Sequence, residues 1–442
     1  MLADTARDTT SVRLCYSVFF AVGFVAVLDE PLVFKLREMF SLSFADAMLT
    51  QMAFFLGYFV FSIPFGILLT KLGYVRCIAL GLAVMACGCA LFAWAAGAGT
   101  YTNFLIALFV VAAGVTMLQV SANPYITILH SGGSAGSRLT LAQAFNSLGR
   151  VIGPLVGAVF FLRGGGAVAL EEVDRAADVS RSQLPLTAGP LPTGPFWVIA
   201  ALLLVLATIF WLRRGVGARL AGAYPLRGRV RGRLRLLFGV LAIFLYVGAE
   251  VSIGSGLTNY LMQRSVLGNQ AGLIGSVLAD IFGGPSRHAV RLNGPQIAGA
   301  MVSIYWGFAM VGRFVGAAVL AHVEAGRVLF AHAVVATVLA LISSQSEGVT
   351  AAVSVLAIGL ANSVMFPAIF TIALQDLGDD TPKGSALLCL ALVGGAVVPL
   401  LYGVVADHYG LSAALLVPAI CYAAIATYGA SIGRTDHKVV PK

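Results

Sequence analysis

The chain has 442 residues, 59% of them hydrophobic and only 11% charged. A soluble domain carries about a quarter charged residues, so a soluble globular protein is excluded. The net charge of +9 is not a nucleic-acid signal, because the positive residues sit between apolar runs, where they set membrane orientation.

A helical membrane span needs about 20 apolar residues. Such runs are read at 12–34, 44–70, 74–97, 103–129, 138–162 and 194–213, and again at 234–262, 296–321, 326–343, 349–377, 384–406 and 411–433. The first follows Arg7 and Arg13 and has the look of a signal sequence. It lacks a small-residue cleavage site and leads into Asp29-Glu30-Pro31, so an uncleaved span is expected. Pro31 removes a backbone donor and should make the helix irregular there. A carboxylate facing a half-wet cavity is harder to keep ionised. Asp29 and Glu30 could therefore take and lose a proton, or they could be two acids solvated at the membrane surface.

The fourth and fifth spans carry polar groups at membrane depth. Gln119 and Asn123 are four apart and share a helix face, with Pro124 beside them. Gln143 and Asn146 share a face of the fifth span, and Arg150 follows. Polar side chains are costly in hydrocarbon and usually face a cavity or one another. Amides offer both donors and an acceptor, which suits a hydroxyl-rich, uncharged solute. Amide bonding between helices is the competing reading. Arg150 could pair with Glu30 or Glu250, or bind an acidic substrate.

Residues 163–193 are acidic and should lie outside, and Arg213 to Arg235 holds eight arginines. Anionic lipid could bind there, but a linker that fixes topology by charge suffices. Of the 28 Lys and Arg, 18 lie on one set of alternate loops and termini, eight on the other, and Arg150 and Arg313 within spans. The Lys/Arg-rich side is cytoplasmic, so both termini should be inside.

In the seventh span Glu250 stands mid-membrane, at a cost of about 2.5–3.5 kcal/mol on insertion scales. It needs a partner, a proton or water. Asn259 and Tyr260 follow and could line the same path. Arg313, in the eighth span, is expected to snorkel to the cytoplasmic surface or cap helix ends. Asn362 lies mid-way in the tenth span. Asp376, Asp379 and Asp380 precede Lys383 and read as a solvated loop. The six cysteines all fall in or beside apolar runs, as small hydrophobes do. There is no phosphate-binding loop, dinucleotide fingerprint or metal-ligand spacing. ATP-driven pumping, a metal site and a cofactor are therefore not expected, and an enzyme is not expected either.

The halves repeat. Gly57 and Gly66 match Gly307 and Gly316; Gly149, Pro154 and Gly157 match Gly394, Pro399 and Gly403; Pro124 matches Pro367, at offsets of 243 to 250 residues. Parallel six-span repeats describe the major facilitator architecture. The glycines also suit close helix contact with no substrate role.

The stretches LQVSANPYITIL, SRLTLAQAFNSLG, YVGAEVSIGS, SIYWGFAMVGRF and GSALLCLALVGGAVVPLLYGVVAD resemble the fucose/proton symporter family of the major facilitator superfamily, in its glucose/galactose transporter branch. The resemblance covers nearly the whole chain. It implies an all-α membrane protein of twelve helices, alternating access, and sugar uptake driven by protons, with sodium in some relatives. The proton-linked aspartate of the fucose branch falls on Glu30. Its second acidic position falls on Gln119, which cannot carry a proton, so coupling could pass to Glu250. Family members have a small residue where Arg150 stands.

The expected organisation is a six-helix bundle at 1–213, a basic linker at 214–233 and a second bundle at 234–442. The expected function is symport of a neutral sugar such as glucose, galactose, fucose or N-acetylglucosamine. The protein would act as a monomer in the lipid bilayer of a bacterial inner membrane. A sodium-coupled carrier, or an exporter of a drug or organic acid, is the alternative. Asp29, Glu30 and Glu250 are the proton-coupling candidates. Gln119, Asn123, Gln143, Asn146, Asn259 and Asn362 are the sugar-binding candidates.

Overall fold

The computed structural model of the chain describes residues 2–27, 44–98, 100–129, 134–161, 193–213, 230–262 and 294–436. Every regular element among them is helical, as hydrocarbon demands of segments that must satisfy their own backbone groups. In chain order these are α1 (Leu2–Val27), α2 (Phe44–Leu72), α3 (Tyr74–Ala98), α4 (Tyr101–Ile128), α5 (Ala135–Phe161) and α6 (Gly194–Leu212). Then come α7 (Val230–Met262), α8 (Gly294–His322), α9 (Ala325–Gln345), α10 (Gly348–Asn362) and α11 (Met365–Leu374). The chain continues through α12 (Thr381–Leu390), α13 (Gly394–Tyr409), α14 (Leu411–Ala414) and α15 (Leu416–Asp436). Ten described segments are long and apolar enough to cross a membrane. The first and fifth expected spans are occupied by α1 and α5.

The expected spans differ from the helices mainly where a span is interrupted. The tenth is two helices, α10 and α11, separated at Ser363-Val364. Pro367 then sits in the first turn of α11, where its missing donor would have had no intrahelical partner anyway. The eleventh is α12 and α13, joined by a 3-10 turn at Ala391–Val393. Pro124, the repeat partner of Pro367, does not interrupt its helix: α4 runs on through it. The irregularity expected at Pro31 lies outside the described residues.

The described residues form two compact units. One holds Arg13–Tyr125 and Leu148–Tyr224; the other holds Met1–Val12, Ile126–Ser147 and Pro225–Lys442. In the first, glycines bring helices to backbone contact. A Cβ at Gly88 would lie 2.7 Å from the Val111 nitrogen, and one at Gly57 would meet Ala112, so α3 and α2 both lie tight on α4. The Phe92 and Phe196 rings stack at 5.5 Å between α3 and α6. On α2, Leu56, Phe59, Val60, Ile63 and Ile67 are exposed at helical spacing. Such an apolar stripe is stable against lipid and would be a liability in water.

In the second unit α7 packs on α8, α11, α13 and α15. The link from α4 to α5 is fixed by side chains. Arg138 donates from Nη2 to the Thr127 carbonyl at 2.6 Å and from Nε to the Ile126 carbonyl at 3.2 Å, which caps the end of α4. Ser134 accepts from the Ser137 N–H at 3.1 Å, as an N-cap residue does. It also donates to the Leu320 carbonyl of α8, and Ser137 donates to the Ala317 carbonyl at 2.6 Å.

The repeat inferred from glycine spacing has a structural counterpart. A Cβ at Gly149 on α5 would strike the Phe20 carbonyl of α1 and lie 2.7 Å from the Phe24 nitrogen. A Cβ at Gly394 on α13 would strike the Phe244 carbonyl of α7 and lie 2.7 Å from its carbon. Each glycine lets the fifth helix of its set of six touch the backbone of the first. Gly307 has open space instead. Gly149→Val and Gly394→Val should therefore each lower stability by about 1–3 kcal/mol, while Gly307→Ala is near neutral. Thermal unfolding of the detergent-purified variants checks this, and a Gly394→Val melting with the wild type would refute the contact.

Candidate functional site

The site is built on α7. Tyr246 and Glu250 are one turn apart and present their side chains on the same face. The Tyr246 hydroxyl lies 2.8 Å from Glu250 Oε1. Arg313 of α8 places Nη2 at 3.6 Å from the same oxygen, and the two charged side chains are only 10% and 14% exposed. A lone charge at this depth is costly, and each of these partly neutralises the other.

Arg313 was expected to snorkel, and it does not. It is buried, and α8 continues to His322, about two and a half turns further on. Among the described residues its ion-pair partner is Glu250. Arg313 also donates from Nη1 to Ser147 Oγ on α5, and Ser147 in turn donates to the Gln143 carbonyl at 3.1 Å. The Arg313 Nε is buried and has no partner among the described residues.

The break between α10 and α11 meets this cluster. Carbonyls at a helix end lack their regular partners, and two side chains reach them. His332 Nδ1 of α9 lies 3.0 Å from the Ala361 carbonyl. Tyr246 lies 3.2 Å from the Asn362 carbonyl. The Asn362 side chain donates from Nδ2 to the Tyr305 hydroxyl at 2.9 Å. Neither the Tyr422 hydroxyl nor Asn362 Oδ1 reaches a hydrogen-bond partner among the described residues. Both are fully buried. The cluster thus holds one acid, one base, three phenols and an amide with a spare acceptor.

The other expected residues fall as follows. Gln143 and Asn146 are buried on α5, within a turn of Ser147. Gln119 and Asn123 belong to the other unit, where Asn123 Nδ2 donates to Gln119 Oε1 at 2.8 Å. Asn259 is exposed near the end of α7. Its neighbour Tyr260 turns away to donate to the Ser343 carbonyl at 2.6 Å. Arg150 is exposed and does not pair with Glu250, whose partner is Arg313. Asp29 and Glu30 lie outside the described residues. Asp380 pairs with Lys383 at 2.9 Å, and the exposed Asp376 pairs at 3.4 Å with Arg235, whose side chain is largely covered.

Tyr246, Tyr305, Tyr422, His332 and Ser147 were not anticipated. The four-residue spacing of Tyr246 and Glu250 was a usable signal. The pairing of Arg313 with Glu250 joins two separate spans and had no comparable local signal.

Comparisons with known proteins agree with the architecture. Residues 14–388 match the model of the Major Facilitator Superfamily. The chain is 42% identical over 415 residues to a protein of Brucella abortus named glucose/galactose transporter, covering 93% of this chain and 91% of the relative. It is 31% identical over 421 residues to the L-fucose-proton symporter of Escherichia coli, covering 93% and 90%. A crystal structure of a fucose transporter of that superfamily in the outward conformation aligns with TM-score 0.76 and 29% identity, over 95% of this chain and 98% of the other. The chain belongs to the major facilitator superfamily, in the fucose/proton symporter family with its glucose/galactose branch, and is a multi-pass membrane protein.

Removing one partner of a buried ion pair strands the other charge. Arg313→Leu should therefore cost about 3–5 kcal/mol, and adding Glu250→Gln should recover most of that loss. Unfolding midpoints of the single and double variants in detergent measure this; additive losses would show that the two charges do not interact.

Proposed function

We propose that the protein is a proton-coupled symporter for a neutral sugar such as glucose, galactose, fucose or N-acetylglucosamine, with Glu250 as the proton carrier. The observation that carries this reading is a carboxylate inside the membrane-spanning helices whose neighbours are one cation, one hydroxyl and a helix break. The names of the relatives, glucose/galactose transporter and L-fucose-proton symporter, supply the substrate class. The two six-helix halves would be 1–213 and 234–442, joined by the basic segment 214–233, in a bacterial inner membrane with both termini cytoplasmic.

The chemistry follows from the contacts of Arg313. With Glu250 ionised, Arg313 is held between the carboxylate on α7 and Ser147 on α5. A proton on Glu250 cancels the attraction to α7 and leaves the bond to Ser147 holding the guanidinium. The linkage among α5, α7 and α8 thus differs between the two protonation states. A ligand moves a conformational equilibrium only through such a differential interaction. Asn362, Gln143, Asn146, Gln119, Asn123 and Asn259 are the candidates for sugar hydroxyls, each bond contributing about 1 kcal/mol net. Glu30, aligned with the aspartate of the fucose branch, is the second candidate for proton exchange, with Asp29 beside it.

Labelled-sugar uptake into proteoliposomes, with pH and sodium gradients imposed separately, tests the proposal. Accumulation should follow the proton gradient. Glu250→Gln should abolish accumulation and retain sugar counterflow, because the amide mimics the protonated acid. Wild-type accumulation by that variant, or accumulation driven by sodium alone, would sink the proposal.

A further inference from the structure

We infer that Tyr246 is the positioning residue that carries the protonation state of Glu250 to Asn362 at the α10–α11 break. The inference rests on Glu250 as the proton carrier and goes beyond it by naming the path from proton to sugar.

A phenol has one proton to donate and an oxygen that can accept. The Tyr246 oxygen stands 2.8 Å from Glu250 Oε1 and 3.2 Å from the Asn362 carbonyl. While Glu250 is ionised, both neighbours are acceptors and compete for one hydrogen. The carboxylate wins, because a charge-assisted bond is the stronger. The Asn362 carbonyl is then unserved by Tyr246. When Glu250 takes a proton, its own O–H becomes a donor, and the Tyr246 oxygen accepts it. The Tyr246 hydrogen is released to the Asn362 carbonyl. One proton enters at Glu250, no heavy-atom bond changes, and a hydrogen bond appears at the end of α10.

Asn362 is the place where this matters. Its carbonyl closes α10 at the break, so a donor there changes what holds α10 and α11 in register. Its side chain gives Nδ2 to Tyr305 and keeps Oδ1 buried without a partner. A buried unpaired acceptor is costly, and a sugar hydroxyl is the kind of donor that would relieve it. One residue therefore senses the proton through its backbone and can sense the sugar through its side chain. Linkage makes that coupling reciprocal.

The groups gathered around Glu250 are Tyr246 on its own helix, Arg313 and Tyr305 from α8, Asn362 from α10 and Tyr422 from α15. His332 of α9 stands behind them at the Ala361 carbonyl. Arg313 reports to Ser147 on α5 and does not touch the break. Tyr246 bonds both Glu250 and the break.

Counterflow of labelled galactose in proteoliposomes, at equal pH on both sides, tests the inference. In the wild type, the half-saturating galactose concentration should rise with pH, with a limiting slope of about tenfold per pH unit, as one linked proton requires. Glu250→Gln should be flat. Tyr246→Phe leaves the Asn362 carbonyl without that donor at every pH, so it should bind galactose as the wild type does at high pH, with the slope reduced to less than about twofold per unit. The double variant should match Tyr246→Phe alone, since Tyr246 lies downstream of Glu250 and two members of one path are not additive. A steep slope in Glu250→Gln would overturn the proton-carrier reading and this inference with it. A flat Glu250→Gln beside a wild-type slope in Tyr246→Phe would overturn the role of Tyr246 alone. Should Tyr246→Phe lose counterflow at every pH, 3-fluorotyrosine at position 246 decides. Its more acidic phenol should move the midpoint of the pH profile, and an unmoved midpoint would overturn the inference.

Discussion

Glu250 and Arg313 cannot be left alone in a membrane, and much of the second unit is arranged around that fact. An acid or a base at this depth is costly unless something nearby answers it. Glu250 has Arg313 and Tyr246; Arg313 has Glu250 and Ser147. The pair does not fit as a device for stability, because apolar residues of similar volume usually hold a core as well as a buried ion pair does. Its value is that it has two states. A proton removes one charge and leaves the other, and the neighbours of both must then rearrange.

The backbone makes the same trade. A broken helix exposes carbonyls that hydrocarbon cannot satisfy, and such breaks persist where protein side chains re-satisfy them. Between α10 and α11 those side chains are His332 and Tyr246. One of them also serves Glu250. The break is therefore tied to the charged cluster, and a change in one must be felt in the other. Elsewhere the helices are closely packed. Gly394 holds α13 on the backbone of α7, and Gly248 lets Val398 lie against α7. Polar contacts and close-packed ones share the same helix.

What the amino-acid sequence revealed depended on how local the signal was. The spans were legible because apolar length is a property of consecutive residues, and the repeat was legible because Gly149 and Gly394 make the same backbone contact in their two sets. Glu250 and Asn362 stood out as polar groups in apolar runs. The partnership of Glu250 with Arg313 was not legible, since it joins residues 63 apart and Arg313 looked close to the end of its span. The interruption at Ser363-Val364 was missed for a related reason. Pro124 and Pro367 occupy equivalent places, yet only the second follows a break, where His332 and Tyr246 reach the Ala361 and Asn362 carbonyls. Tyr246, Tyr305 and Tyr422 read as ordinary apolar residues, which is how an aromatic ring looks until its hydroxyl has a partner.

The two sets of six helices share a scaffold but not a chemistry, and the difference indicates a division of labour. In α4 the helix continues through Pro124 and carries Gln119 and Asn123, which bond each other and hold no charge. In the equivalent helix of the second set, the chain breaks before Pro367, and a carboxylate, a guanidinium and three phenols surround the break. An amide pair on an unbroken helix changes little when a proton arrives, since neither side chain titrates. A carboxylate beside a break changes its bonding pattern with each proton. The repeated glycines set the same helix contacts in both sets, while the unrepeated residues place a carboxylate beside a break in the second, where a change in its bonding is felt by the backbone.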